Sequence, residues 1–206
     1  MAKLTLFCHS SIKISGEKEI YIDPYKINEN YNDADYIFCT HSHYDHFSKE
    51  DIEKVKNSNT KIITVKSSEE EAEKLVGKEN ILIVEPKKEY TIDNLQFKTL
   101  PAYNENKQFH QKENNWVGFI IEFEGIKYYI AGDTDDLEEL HNIKCDIALI
   151  PIGGTYTMDY KEAANFANNI SAKIVIPTHY GLIVGDKKDA IKFKELVENK
   201  EVNILI

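Results

Sequence analysis

His41, His43, Asp45 and His46 stand within six residues, in the run THSHYDH that begins at Thr40. The chain has only seven histidines in 206 residues, so composition does not explain three of them in that span. Imidazole nitrogen and carboxylate oxygen are the ordinary donors for zinc and related divalent ions. Two apart on extended chain, His41 and His43 project to one side and can chelate a single ion. Asp45 and His46 are adjacent and must diverge, which suits a second ion nearby. Two close divalent cations acidify a shared water, polarise the bond under attack and stabilise the leaving oxygen, which is the chemistry of hydrolysis. The competing reading of the run is a solvated polar turn.

Two further donors follow apolar runs. Asp133 comes after YYIAG, where Gly132 permits close backbone approach, and His179 comes after IVIPT. Side chains just past strand ends line the crevice of a mixed sheet. Taken singly, Asp133 reads as a helix cap and His179 as a structural histidine; beside the first cluster both read as ligands. His9, Asn104, Tyr156 and Tyr180 are expected near substrate, although His9 also reads as a structural strand-end histidine and the two tyrosines as residues of the core edge. Cys39 reads as a small buried residue and His141 as an exposed one.

The elements that must carry these groups are legible from periodicity. KLTLFC, SIKIS, EIYID and DYIFCT alternate as strands. SKEDIEKVKN reads as a helix capped by Ser48, so the histidine run is a strand-to-helix loop. TKIITV follows as a strand, SSEEEAEKLVG as a helix opened by serine and closed by Gly77, and NILIV, EYTID and LQFKTLPAY as strands. NENKQFHQKENN is the longest polar, non-periodic run and reads as a functional loop. WVGFIIEF, IKYYIAGD and CDIALIP are strands, with a short helix expected over DTDDLEELHN. MDYKEAANFANNI and KKDAIKFKELVEN are helices, AKIVIPTHY is a strand and VNILI a final strand. The pattern predicts one α+β domain over 1–206, built as two mixed sheets with helices outside and divided into related halves at about 1–100 and 116–206.

Composition narrows the function. An apolar content of 42% suffices for a core, and a formal charge of −10 argues against a nucleic-acid groove. All 25 cationic residues are lysine, so no guanidinium fork is present to bind an anion. Three scattered cysteines without a C-x-x-C pair fit a reducing compartment. MAKLTLFCHSS is too short an apolar run for an export signal, and no segment reaches 18 apolar residues, so the expected address is the cytoplasm with no membrane contact.

THSHYDH, AGDTD, PIGGTYTM and IPTHYG, in that order and spacing, resemble the metallo-β-lactamase fold over nearly the whole chain. Within it they are most similar to stand-alone metal-dependent hydrolases of the ascorbate-phosphate lactonase-like branch. The resemblance implies a four-layer αββα sandwich with a dinuclear site. It implies that His41 and His43 bind the first metal, Asp45 and His46 the second, that Asp133 bridges them and that His179 completes the second. Many relatives carry histidine where Asn104 stands, in PAYN, and His110 lies six residues on. Imidazole is the better zinc donor, so His110 is expected to complete the first site; the alternative is an exposed loop histidine with Asn104 or water in the gap.

The reading that results is a hydrolase with two divalent ions, zinc first and manganese or iron as alternatives. It would cleave an ester, lactone, amide or phosphodiester in a small anionic metabolite through a metal-bridging hydroxide that Asp45 orients. The rivals are a metal-binding protein without turnover and, behind it, a nuclease. Oligomeric state is not readable from the sequence.

Overall fold

The computed structural model describes residues 2–206, and the chain divides into two compact units, one ending at Glu85 and the other spanning Pro86–Ile206.

The first unit is built on a six-stranded sheet whose spatial order follows the sequence: β1 (Lys3–Cys8), β2 (Ser11–Ser15), β3 (Glu19–Ile22), β4 (Ala34–Phe38), β5 (Lys56–Val65) and β6 (Ile81–Val84). The first three pair antiparallel through tight connections, and β3 to β6 pair parallel. A parallel pair needs a crossover, and α1 (Lys49–Val55) and α2 (Glu69–Val76) supply the last two. Ile52, Val55 and Ala72 of these helices pack with Tyr21, Ile37 and Ile62 of the sheet in one buried cluster. Ser48 caps α1 as its sequence suggests, its hydroxyl accepting from the Asp51 N–H. Gly77 ends α2 at a φ of +82°. Ser68, by contrast, gives α2 no side-chain cap, because it is the last residue of a 3-10 turn that runs straight into the helix.

The second unit carries a seven-stranded sheet, again in sequence order: β7 (Glu89–Ile92), β8 (Leu95–Pro101), β9 (Val117–Phe123), β10 (Ile126–Ile130), β11 (Ile147–Pro151), β12 (Ile174–Thr178) and β13 (Glu201–Val202). β7 to β10 are antiparallel and β10 to β13 parallel, the same division as in the first unit. α3 (Tyr160–Asn169) opens with a capping box between Asp159 and Glu162, and α4 (Lys187–Leu196) with one between Asp186 and Asp189. Ala163, Phe166, Ala167, Ala190 and Phe193 bury against Tyr129, Ala148, Ile150 and Val175. The two mixed sheets of the α+β class are as the sequence predicts.

Three expectations are corrected. β7 and β8, grouped by the sequence with the first half, pair into the second sheet. The helix expected over DTDDLEELHN is a single 3-10 turn, Glu138–Leu140. Its acids are used elsewhere: Asp135 accepts from Asn104, Asp136 from Asn165, so none is left to cap a first turn. The final strand keeps only two residues, and the Ile206 carbonyl accepts a hydrogen bond from the Tyr180 hydroxyl instead of a ladder partner. Among the described residues no helix is long and apolar enough to cross a membrane.

Candidate functional site

In the first unit the histidine loop is closed at both ends. Beyond β4 the Cys39 N–H still donates to the Ile63 carbonyl, so the chain runs extended past the strand end. The His43 carbonyl then accepts from the N–H groups of His46 and Phe47, a tight turn that leads to the Ser48 cap. His41 Nε2 and His43 Nδ1 lie 3.1 Å apart, the spacing of a chelating pair.

Asp23, which the sequence reading passed over, organises this loop. It is wholly buried at the end of β3 and accepts from the Thr40 N–H and hydroxyl, each at 2.8 Å, and from His46 Nδ1 at 2.7 Å. With its hydrogen on Asp23, the Thr40 hydroxyl accepts from His41 Nδ1 at 3.0 Å. Both histidines therefore carry hydrogen on Nδ1 and the lone pair on Nε2, the arrangement of an imidazole prepared for a metal. Burial pushes the Asp23 carboxyl up, and His46 and the Thr40 donors pull against that shift. The only sequence signal for Asp23 is an acid immediately after a strand and before Pro24.

His9 is also wholly buried, and its Nε2 lies 3.1 Å from Asp45 Oδ2. One donor atom each from His9, Asp45 and His46 lies within 4.8 Å of the other two. The first unit thus gathers four histidines and Asp45 around one loop. Cys39 is buried, and burial raises its thiol well above the ordinary range, as a small core residue should be.

In the second unit the donors meet on a single carboxylate. Asp133 Oδ2 lies 3.2 Å from His110 Nε2 and 3.0 Å from His179 Nε2, and all three residues are buried. Asp133 stands just past β10 and His179 just past β12, two strand ends of the parallel half of the sheet with β11 between them. His110 reaches them on the 104–115 loop, which is pinned at its base by the Asn104 N–H on the His110 carbonyl at 2.7 Å. Its ring packs edge-on against Trp116.

The remaining sequence candidates are placed differently. Asn104 is engaged with His110, Asp135 and the Tyr156 carbonyl. The Tyr156 ring meets Phe109 edge-on. Tyr180 is buried, and its hydroxyl is spent on the Ile206 carbonyl, so it packs the core rather than presenting to a ligand. His141 pairs with Asp136 at 2.6 Å. His9, Asp23 and His179 are among the non-glycine residues with left-handed backbone, at φ values of 53°, 46° and 58°. Such left-handed conformations cost a non-glycine residue roughly 1–3 kcal/mol and cluster where side-chain direction matters.

The pattern of a family described as "Beta-lactamase superfamily domain" matches residues 3–179. The chain belongs to the β-lactamase superfamily. It is 33% identical to a UPF0173 metal-dependent hydrolase of Pyrococcus abyssi, over 97% of this chain and 94% of that one. A UPF0173 metal-dependent hydrolase of Nanoarchaeum equitans is 32% identical, over 99% and 95%. Among solved structures, a Parabacteroides distasonis chain assigned as a metal-dependent hydrolase superposes with a TM-score of 0.84 at 29% identity, covering 98% of this chain and 92% of that one. A metallo hydrolase from Ignicoccus hospitalis shares the fold, with a TM-score of 0.78 at 24% identity over 98% and 94%.

This member of the superfamily is a metal-dependent hydrolase with the metallo-β-lactamase fold. Its donors fit a metal on their own chemistry. Imidazoles whose Nδ1 is already occupied, with carboxylates beside Nε2, form the mixed nitrogen and oxygen set that zinc, manganese and iron accept.

Proposed function

We propose that the chain binds two divalent ions and hydrolyses an ester, lactone, amide or phosphodiester in a small anionic metabolite. The ligand set is His41, His43, Asp45, His46, His110, Asp133 and His179, with zinc the first choice of ion. The observation that carries this reading is the Asp133 carboxylate oxygen set between two imidazole nitrogens at 3.2 and 3.0 Å. One carboxylate serving two histidines is what a bridging ligand needs, and seven donors exceed what one tetrahedral ion can use.

When bound, the pair of cations supplies Lewis-acid charge that acidifies water and offsets negative charge on the leaving oxygen. The protein residues do the positioning. Asp23 and Thr40 hold two imidazoles in one tautomer, so no reorganisation is needed when substrate arrives. Asp45, paired with His9 and close to His46, offers its carboxylate to orient the attacking water and take up its proton. A substrate anion would find no arginine here, so lysine, backbone N–H groups and the ions must neutralise it. All three cysteines are free thiols, which suits the cytoplasm.

The test is elemental analysis of metal-supplemented protein, joined to a panel of ester, lactone, amide and phosphodiester substrates. About two ions per chain and turnover of one class are expected, with both lost in His46→Ala and His179→Ala. Less than one ion per chain would overturn the dinuclear reading. Full metal content with no turnover would leave a binding protein, and selective turnover of RNA would leave a nuclease.

A further inference from the structure

Asn104 is buried at the start of the 104–115 loop, and both polar atoms of its side chain are committed. Its Oδ1 lies 3.1 Å from the His110 backbone nitrogen and 3.1 Å from His110 Nδ1. Its Nδ2 lies 3.0 Å from Asp135 Oδ1 and 3.0 Å from the Tyr156 carbonyl. Only one orientation of the amide satisfies all four contacts. Turned over, the NH2 group would face the His110 backbone N–H, and Oδ1 would face a carboxylate and a carbonyl. Asp135 cannot swing away to relieve this, because it also accepts from the Glu105 N–H at 3.0 Å and from Lys107 Nζ.

With Oδ1 facing the ring, His110 Nδ1 must carry the hydrogen. In the neutral ring the lone pair then sits on Nε2, the atom 3.2 Å from Asp133 Oδ2. That sets one acceptor against another, an arrangement a shared cation resolves. We infer that Asn104 and Asp135 are positioning residues: an amide, fixed by a carboxylate 31 positions away, locks His110 into the Nδ1–H tautomer and aims Nε2 as a donor. The inference rests on the reading of His110 as a metal ligand. It assigns Asn104 a role of its own, holding the imidazole that replaces the histidine expected at its position.

The experiment reads the tautomer by nitrogen NMR of labelled protein, both zinc-loaded and metal-free at a pH above the imidazole range. Zinc affinity is read by chelator competition. Wild-type His110 is expected as Nδ1–H in both states. Asn104→Leu, which fills the space without an acceptor, should lose that signature and bind zinc 10–100-fold more weakly. Asp135→Ala should move both readouts the same way by less. Asn104→Asp keeps an acceptor toward His110 but sets a carboxylate against Asp135, so it should unfold more easily and still show Nδ1–H. A merely structural asparagine would instead make tautomer and affinity follow stability across the three variants. Nε2–H in the wild type, or an Asn104→Leu variant with unchanged tautomer and affinity, would overturn the inference. If the wild type binds no zinc, the metal reading fails, and the metal-free spectra still decide what Asn104 does.

Discussion

His46 Nδ1 lies 2.7 Å from Asp23 Oδ2, and neither side chain is exposed. Through Thr40 the same carboxylate also fixes His41, so one acid sets the tautomer of two donors. Asp23→Asn can keep only one of the two carboxylate acceptors. We expect it to weaken metal binding roughly 10–100-fold and to destabilise the metal-free protein by about 1–3 kcal/mol. Chelator competition and urea unfolding measure the two effects. Unchanged affinity would show that Asp23 serves the fold alone.

Asp45 is assigned the nucleophile-orienting role, with His9 beside it. Asp45→Ala is expected to lower kcat by roughly 100-fold or more on whatever substrate the panel identifies. The loss should persist when metal is supplied in excess, which separates orientation from metal retention. Near-normal turnover in the variant would remove the assignment.

Gly153 is required by close approach. A Cβ there would meet the His179 carbonyl at 2.2 Å and Val184 Cγ2 at 2.6 Å, so Gly153→Ala must displace the backbone that carries a donor. The expected cost is roughly 1–3 kcal/mol with a loss of metal affinity. Gly125→Ala is the control. Its φ is +76° with nothing within 4 Å of an added Cβ, so about 1 kcal/mol of backbone strain should leave metal binding intact. Equal affinities in the two variants would contradict the His179 argument.

Asp51 gives the first unit a defined acid sensitivity. Burial alone would raise its carboxyl, but donation from Ser48, Lys54 and the N–H groups of Ile27 and Lys26 outweighs it and holds the group below the ordinary aspartate value. A carboxyl lowered in the folded state contributes stability that is complete above the unfolded value and lost as pH falls through the folded one. Asp51→Asn should therefore be less stable at neutral pH, by roughly 2 kcal/mol for its charge-assisted bonds, and the gap should close under acid. Urea midpoints from pH 7 down to about 2 test this; parallel curves for the two proteins would refute it.

What the sequence reveals follows the range of the interactions. The Ser48 cap and the alternation of β1 to β4 are decided within a few residues, and they read correctly from local pattern. The strand-to-helix loop bearing His41 to His46 is legible for the same reason. Asp23 and Asp135 are not, because each looks like an ordinary loop acid until its partners, 17 and 31 residues away, are known. The missing helix after Asp133 has the same origin: its acids satisfy distant donors, and local propensity has no access to that demand. Tyr180 errs the other way, since its position beside a donor hides that its hydroxyl closes onto the chain's last residue.

The left-handed backbone at His9, Asp23 and His179 bears on how the protein can change. Glycine would occupy all three conformations without penalty, yet none of the three positions carries it. Backbone ease and side-chain contacts pull in opposite directions here, since a glycine at Asp23 would leave the buried Thr40 and His46 donors without their acceptor. Laboratory evolution toward heat resistance, run without any demand for turnover, should keep Asp23 and leave only His9 and His179 open to replacement. Coupling the selection to activity should hold all three fixed and force the gains onto the surface.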